Sequence, residues 1–302
     1  MSPQLKRTVL ITGCSNASLG SALALAFHHA GWRVFATARN PTKLSDLVAQ
    51  NIETLPLDTL SPTSLSTAVS TVRTLTGGSL DALINNAGAG YNMPLLDIDP
   101  AQAKAIFDLN VWSVVDVTKA FLPLLLKSTY PYGPLVANNT SVSSTIAGTM
   151  PFSGVYNASK AAASSVTETM RQELGILGIR VVNLVTGSVE SRFVENLAAP
   201  PKLPADSVYN VAKEEAEKIL SGVQYEGGMK QEEWARAVVA ELGKKSPAHW
   251  VWKGAFAGMV RMGNHLPVGW LDGELKKVSG LGEVERKIQE KGGRGTIARK
   301  LE

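Results

Sequence analysis

The strongest constraint on this chain is a repeated alternation. Short runs of β-branched and apolar residues at 8–12, 34–38, 52–57, 80–85, 135–137 and 179–185 are separated by longer stretches of helical period. The runs are apolar almost throughout and lack the polar alternation of a sheet with one wet face. A strand that is apolar on both sides must be covered on both sides, and a parallel sheet layered by helices supplies that cover. Alanine-rich amphipathic stretches such as 21–30 and 64–75 provide the helices. The expected fold is α/β, a doubly wound Rossmann-type parallel sheet flanked by helices. The rhythm runs through residues 6–193 without a linker, so a single domain is expected over 1–302, with 6–195 as its cofactor-binding and catalytic core.

The segment Ala199-Pro200-Pro201-Lys202-Leu203-Pro204 breaks the pattern, and charged helical stretches follow at 206–221 and 229–243. Residues 196–272 are expected to form a substrate lid and C-terminal segment, and 273–302 a polar tail. The stretch 249–271 carries Trp250, Trp252, Phe256, Met259, Val260, Met262, Leu266 and Trp270 with few charges. It suits closure of a pocket, a subunit contact, or peripheral contact with a membrane. The first two are preferred, because Gly254, Gly258, Gly263, Asn264 and Pro267 interrupt a continuous amphipathic helix.

Composition removes several classes. Lys and Arg number 30 against 26 Asp and Glu, a net charge of +4, and the two signs are mixed without a long basic block, so nucleic acid is not an expected partner. The single cysteine, Cys14, cannot form an intramolecular disulfide, and no Cys/His set has zinc-ligand spacing, so no metal is expected. The apolar run at 8–12 is too short for a signal peptide, and no run reaches the roughly 18 to 20 residues that span a bilayer. A soluble cytoplasmic protein is expected.

The chemistry sits at the ends of the runs. The first passes directly into Thr12-Gly13-Cys14-Ser15-Asn16-Ala17-Ser18-Leu19-Gly20 and then a helix, a turn whose backbone can approach a pyrophosphate at the helix N-terminus. Gly13, Ser15, Asn16, Leu19 and Gly20 are its candidate contacts, although a plain tight turn has the same look. The second run ends in Arg39, 19 residues past Gly20, where a cofactor lacking a 2′-phosphate usually meets an acidic residue. A guanidinium there pairs with a 2′-phosphate and a carboxylate would repel it, so NADP(H) is the expected cofactor unless Arg39 is simply solvated. Tyr156 and Lys160 stand four apart, on one face of a helix. A neighbouring ammonium favours the phenolate and brings a phenol toward working pH, which suits Tyr156 to act as an acid or base.

The ordered set TGCSNASLG at 12–20, NNAG at 85–88, LNVWS at 109–113, NTS at 139–141, YNASK at 156–160 and TGSVES at 186–191 resembles the short-chain dehydrogenase/reductase family over residues 6–195. Within it, the chain looks most like fungal members similar to 1-acyldihydroxyacetone-phosphate reductase. The resemblance implies that Asn110 holds the water of a proton relay, Tyr156 is the catalytic acid/base, and Lys160 binds the nicotinamide ribose and tunes Tyr156. It also implies a serine that polarises the substrate carbonyl. The family's usual spacing to the tyrosine points to Ser143, whereas strand register points to Ser141, which is preferred because loops absorb insertions more readily than strands. By the same resemblance Asn86, Ala87 and Gly88 border the adenosine-side ribose and Asp58 the adenine. Thr186, Gly187 and Val189 meet the nicotinamide carboxamide, with Ser191 a further cofactor contact. Two departures stand out: Thr186 replaces the usual proline of its turn, and Ala17-Ser18 replace a glycine pair.

The implied activity is an NADPH-dependent carbonyl reductase acting on a lipophilic or specialised-metabolite ketone or aldehyde. By analogy, Gly90, Tyr91, Asn92, Met93, Phe152, Ser153, Phe193, Val194 and residues of the 200–240 lid would surround the nicotinamide, and they are mostly apolar, which suits a lipophilic substrate. A lipid alternative, reduction of an acylated dihydroxyacetone phosphate, would use Lys202, Lys213 or Arg192 for the phosphate. A non-catalytic alternative is an NADP-binding regulator or scaffold. The resemblance also implies a homodimer or homotetramer built on the helices of Asn110 and Tyr156.

Overall fold

The computed structural model describes residues 6–191, 201–222 and 227–301. Along the chain run β1 (Thr8–Ile11), α1 (Leu19–His29), β2 (Arg33–Ala38), α2 (Ser45–Val48), β3 (Glu53–Pro56), α3 (Pro62–Thr76), β4 (Ala82–Asn85), α4 (Pro100–Phe107), α5 (Ser113–Leu125), β5 (Leu135–Asn139), α6 (Gly154–Gly175) and β6 (Arg180–Thr186). Then come α7 (Lys213–Leu220), α8 (Gln231–Leu242), β7 (Trp250–Lys253), α9 (Ala257–Gly263), α10 (Asp272–Ser279), α11 (Leu281–Glu290) and α12 (Gly293–Leu301). The seven strands form one sheet in the order β3-β2-β1-β4-β5-β6-β7, and every pairing is parallel. This is the doubly wound Rossmann-type fold expected from the apolar runs, in a single domain.

Each strand feeds two cores, which is why its sequence shows no polar alternation. In β1, Val9 and Ile11 enter one cluster with Phe27, Trp234 and Val238, while Leu10 enters the other with Val72, Phe121 and Leu125. In β2, Val34 and Ala36 join the first cluster and Phe35 the second. Local signals set the helix starts: Ser18 and Ser21 form a reciprocal capping box at α1, and Ser61 caps α3 ahead of Pro62.

Two parts of the C-terminal region differ from the sequence reading. The stretch that begins at Trp250 opens with a seventh strand, paired in register with β6 from Asn183↔Trp250 to Thr186↔Lys253. The Trp250 indole N–H donates to Glu168 Oε1 at 2.6 Å, tying this edge strand to α6. The residues expected to be a polar tail instead form α10, α11 and α12. Val284 of α11 is buried in a third cluster with Phe152, Leu203, Ala212, Ala216, Ile219 and Leu220, and Leu281 and Ile288 pack beside it. Lys291 donates to the Val211 carbonyl at 2.7 Å. The tail therefore braces the segment read as a lid. Among the described residues no helix is long and apolar enough to cross a membrane.

Candidate active site

The chain passes from β1 to β2 on one side and reaches β4 on the other, so the crevice at the carboxyl ends of β1 and β4 is the topological switch point. The phosphate-loop candidates lie there. Gly13 has φ +73, and a Cβ on it would stand 2.8 Å from the Ala87 Cα. A Cβ on Gly20 would fall on the Gly13 carbonyl oxygen, so the loop closes onto the start of α1 only without side chains. Of the substituted pair, Ala17 takes a left-handed φ of 58 and Ser18 becomes the helix cap. The Asn16 amide donates to Ser45 Oγ at 2.8 Å, fastening the loop to α2. Ser15 and Leu19 are half-buried on this loop.

Arg39 directly follows β2, exposed, and it makes no hydrogen bond or ion pair among the described residues. Asp58 follows β3, where its main-chain N–H donates to Ser64 Oγ and its Oδ1 accepts from the Leu60 N–H. Beyond β4, the N–H groups of Asn86 and Ala87 both donate to Thr12 Oγ1, at 2.9 and 3.0 Å. This lashes the second glycine-containing loop to the first. These residues fit a dinucleotide: two side-chain-free approaches, a helix N-terminus and an uncommitted guanidinium lie along one crevice.

The catalytic candidates come from the π turn before α5, from α6 and from the turn after β5. Asn110 lies 1% exposed in a single π turn (Asp108–Trp112) between α4 and α5. Such a bulge re-aims a side chain within a continuous helix. Its Oδ1 accepts from the Ala89 N–H at 3.0 Å, and its Nδ2 donates to the Ala89 carbonyl at 2.9 Å and to Ser159 Oγ at 3.0 Å. Tyr156 and Lys160 project from one face of α6, with Lys160 Nζ 5.9 Å from the Tyr156 ring centre. Lys160 is buried, donates to the Asn139 carbonyl at 2.9 Å, and burial pushes its ammonium down to about 8. A Cβ on Gly88 would stand 3.1 Å from Asn110 Oδ1 and 3.4 Å from Lys160 Nζ, which places the NNAG loop against both.

Ser141 and Ser143 are both buried just past β5. Ser141 Oγ accepts the Ser143 N–H at 3.1 Å, capping a short 3-10 turn. Thr186 ends β6 and Gly187 follows, where a Cβ would strike the Ala255 carbonyl. Val189 packs on the core and pairs with Met229, and Ser191 is half-buried at the edge of the described segment. On the substrate side, Met93 pairs with Ser153, and Ser153 Oγ donates to Asn92 Oδ1 at 3.0 Å. Tyr209 stacks edge-on with Phe152 at 5.0 Å, so 201–222 sits against these loops. Gly90 and Tyr91 precede them, with the Tyr91 hydroxyl accepting from the Asp99 N–H. Lys202 and Lys213 are exposed, and Lys213 lies 3.9 Å from Glu217. Arg192, Phe193 and Val194 lie outside the described residues.

Three residues of the site carried no role in the sequence reading: Thr12, Asn139 and Ser159. All lie inside quoted motifs, but their partners are distant in sequence. Cys14 is buried and its thiol is pushed up to about 12 by that burial, which leaves it inert beside the phosphate loop.

The sequence profile described as short chain dehydrogenase matches residues 7–202. A short-chain dehydrogenase/reductase of Pestalotiopsis microspora is 42% identical over 94% of this chain and 98% of its own. The NADPH-dependent 1-acyldihydroxyacetone phosphate reductase of Schizosaccharomyces pombe is 32% identical over 88% of this chain and 91% of its own. Among solved structures, a short chain dehydrogenase of Burkholderia cenocepacia in complex with NADP superposes with a TM-score of 0.68 at 26% identity, covering 89% of this chain and 97% of that one. With its parallel sheet, its switch-point crevice and this match over most of its length, the chain belongs to the short-chain dehydrogenase/reductase family of oxidoreductases.

Proposed function

We propose that the protein is an NADP(H)-dependent carbonyl reductase that acts on a lipophilic ketone or aldehyde. The observation that carries this reading is the buried Lys160 beside Tyr156 on one helix face, with the NNAG loop lying against both that ammonium and Asn110 at Gly88. Arg39, without a hydrogen-bond or ion-pair partner among the described residues, supports a 2′-phosphorylated cofactor, in keeping with the NADP named for the Burkholderia structure and the NADPH named for the yeast relative.

When bound, the cofactor supplies hydride to the carbonyl carbon. The Tyr156 hydroxyl then gives its proton to the carbonyl oxygen, and the reverse oxidation uses the same group as base. Lys160 holds positive charge beside the phenol, which favours the phenolate left behind, and donates to the nicotinamide ribose. Ser141 is the better candidate for the polarising serine. Its oxygen already accepts the Ser143 N–H, so its own hydrogen is left to donate to the substrate oxygen as charge develops there. Asn110, pinned on both sides of its carboxamide, is the residue for the relay water. Thr186, Gly187, Val189 and Ser191 would receive the nicotinamide, and Asp58, Asn86, Ala87 and Gly88 the adenosine half.

The substrate loops and the segment over them are held together by Met93, Phe152, Tyr209 and Leu203, apolar surroundings that favour an apolar carbonyl compound over a sugar. Fungal relatives named as short-chain dehydrogenases make a specialised metabolite the first substrate class to try. The yeast relative supports a second reading, reduction of an acylated dihydroxyacetone phosphate, with Lys202 as the exposed lid cation. The chain is read as a homo-oligomer through the helices of Asn110 and Tyr156, where Trp112 is 54% exposed. NADPH and NADH oxidation across lipophilic ketones and acyl-dihydroxyacetone phosphate, with Tyr156→Phe alongside, tests the proposal. Turnover with NADPH that vanishes in the variant is the expected result. Tight NADPH binding without reduction of any carbonyl, in wild type and variant alike, would favour the non-catalytic scaffold.

A further inference from the structure

Asn139 is the last residue of β5, and its three polar groups reach three parts of the crevice. Its Nδ2 donates to Asn86 Oδ1 at 2.9 Å, and its Oδ1 accepts from Thr186 Oγ1 at 2.6 Å. Its main-chain carbonyl accepts from Lys160 Nζ at 2.9 Å. Asn86 in turn donates to the carbonyls of Thr12 at 2.9 Å and Gly13 at 3.3 Å. One line of hydrogen bonds thus crosses the ends of β6, β5, β4 and β1.

The direction of that line is fixed by chemistry. Main-chain carbonyls only accept, so Asn86 must turn its NH2 toward Thr12 and Gly13 and its oxygen toward Asn139. Asn139 must then turn its NH2 toward Asn86, which leaves its oxygen facing Thr186. Thr186 has a single hydroxyl proton, and that proton is committed to Asn139. To any other group the Thr186 hydroxyl can only be an acceptor. A proline at this position, the usual residue in the resemblance noted above, could supply neither half of this bond.

We propose that Asn139 is a positioning residue that makes the Thr186 hydroxyl an obligate acceptor for the amino group of the nicotinamide carboxamide. The main-chain carbonyl of the same residue is the one on which Lys160 rests. The inference builds on the reading of a nicotinamide cofactor and goes beyond it, since it assigns the orientation of the carboxamide to a residue that touches the cofactor only through Thr186.

The test is binding, measured by fluorescence or calorimetry on the full chain. Three ligands are compared: NADP+, its 3-acetylpyridine analogue, in which a methyl replaces the amino group, and 2′-phospho-ADP-ribose, which lacks the nicotinamide. Wild type is expected to prefer NADP+ over the analogue by about 10-fold, the worth of one hydrogen bond to a group otherwise left unpaired. In Thr186→Val that preference should fall to within about two-fold with affinity for 2′-phospho-ADP-ribose held. In Asn139→Leu it should fall to the same level, on top of any equal loss for all three ligands from the broken bond to Asn86, and the double variant should reduce the preference no further. Thr186→Ser should restore the preference. Should Asn139→Leu fail to fold, Thr186→Val and Thr186→Ser carry the same comparison, and Asn139→Ser replaces it. A preference that survives in Thr186→Val, or losses equal for all three ligands that leave the preference unchanged, would overturn the role of Asn139. Wild type that binds none of the three would instead overturn the cofactor reading itself.

Discussion

The Asn110 carboxamide and the main chain of Ala89 face each other in a two-way hydrogen bond, Oδ1 accepting at 3.0 Å and Nδ2 donating at 2.9 Å. That pair joins the π turn between α4 and α5 to the loop after β4, and a third bond carries it to Ser159 on α6. Asn110→Asp keeps the shape but turns the donor into an acceptor, facing a carbonyl in a site that is 1% exposed. The expected cost is about 2 to 4 kcal/mol of stability, from lost bonds and an unpaired buried charge. Urea unfolding at neutral pH measures it, and a loss below about 1 kcal/mol would show that the pair is not structural.

Gly20→Ala tests the phosphate loop. The added methyl would meet the Gly13 carbonyl oxygen and, at 2.7 Å, Asn86 Nδ2, and the first of these is backbone that cannot step aside cheaply. The loop must open, so NADPH affinity should fall by about 100-fold or more while the sheet still forms. Gly31→Ala is the control. Its φ is +83 with nothing within 4 Å, so it should cost only about 1 kcal/mol of strain and leave cofactor affinity alone.

Arg39 provides a charge test. Replacing it with Asp puts a carboxylate where the 2′-phosphate is expected, removing a charge-assisted pair and adding repulsion. The ratio of NADPH to NADH affinity should drop by about 100-fold or more, since each lost charged hydrogen bond is worth roughly 1.5 to 3 kcal/mol. Affinity for NADH itself should stay level or rise. Equal loss of both cofactors would remove Arg39 from the site.

Lys160 makes stability depend on pH in a stated direction. Burial lowers its pKa from 10.5 in the unfolded chain to about 8 in the folded one, so between those values the unfolded state binds more protons. Stability contributed by this group therefore rises with pH from about 8 to 10.5, by an amount on the order of 3 kcal/mol, and below that window the buried charge is a constant cost. The difference in unfolding free energy between wild type and Lys160→Met should shift in favour of wild type across this window. A flat difference would mean that the ammonium is not desolvated.

Much of this architecture was legible because its signals are local. The apolar runs that became β1 and β2 announced burial on both faces, and Val9, Leu10 and Ile11 divide between two cores accordingly. The candidate site residues stood out as ordered motifs, most of them past the carboxyl end of a strand, with Asn110 in the π turn before α5 and Tyr156 and Lys160 on α6. What escaped was set by partners far along the chain. The strand at Trp250–Lys253 reads as part of an aromatic stretch until β6 is beside it, because a run of four residues ending at Gly254 is too short to stand out despite its strand-favouring tryptophans and valine. Asn139 looks like any polar residue at a strand end, and its role follows from Asn86 and Thr186, 53 and 47 residues away. The polar character of 273–302 hid one buried stripe, since the apolar contact of α11 with the third cluster is made by Leu281, Val284 and Ile288.

That stripe yields the last prediction. Val284 is 1% exposed against Leu203, Ala212, Ala216, Ile219 and Leu220, the residues that hold 201–222 over Met93 and Phe152. Val284→Asp would place an unpaired carboxylate in that cluster, and the cheapest relief is for α11 to detach, since its remaining ties to this segment include the Lys291 bond to the Val211 carbonyl. Detachment leaves the Rossmann sheet and the cofactor crevice intact, because none of the cluster belongs to the phosphate loop or to β1. NADPH affinity should hold within about two-fold, whereas KM for the carbonyl substrate should rise by about 10-fold or more as the covering segment loses its support. Protease sensitivity near 201–222 should rise in parallel. An unchanged KM with a detached α11 would mean that the segment holds its place on Tyr209 and Phe152 alone.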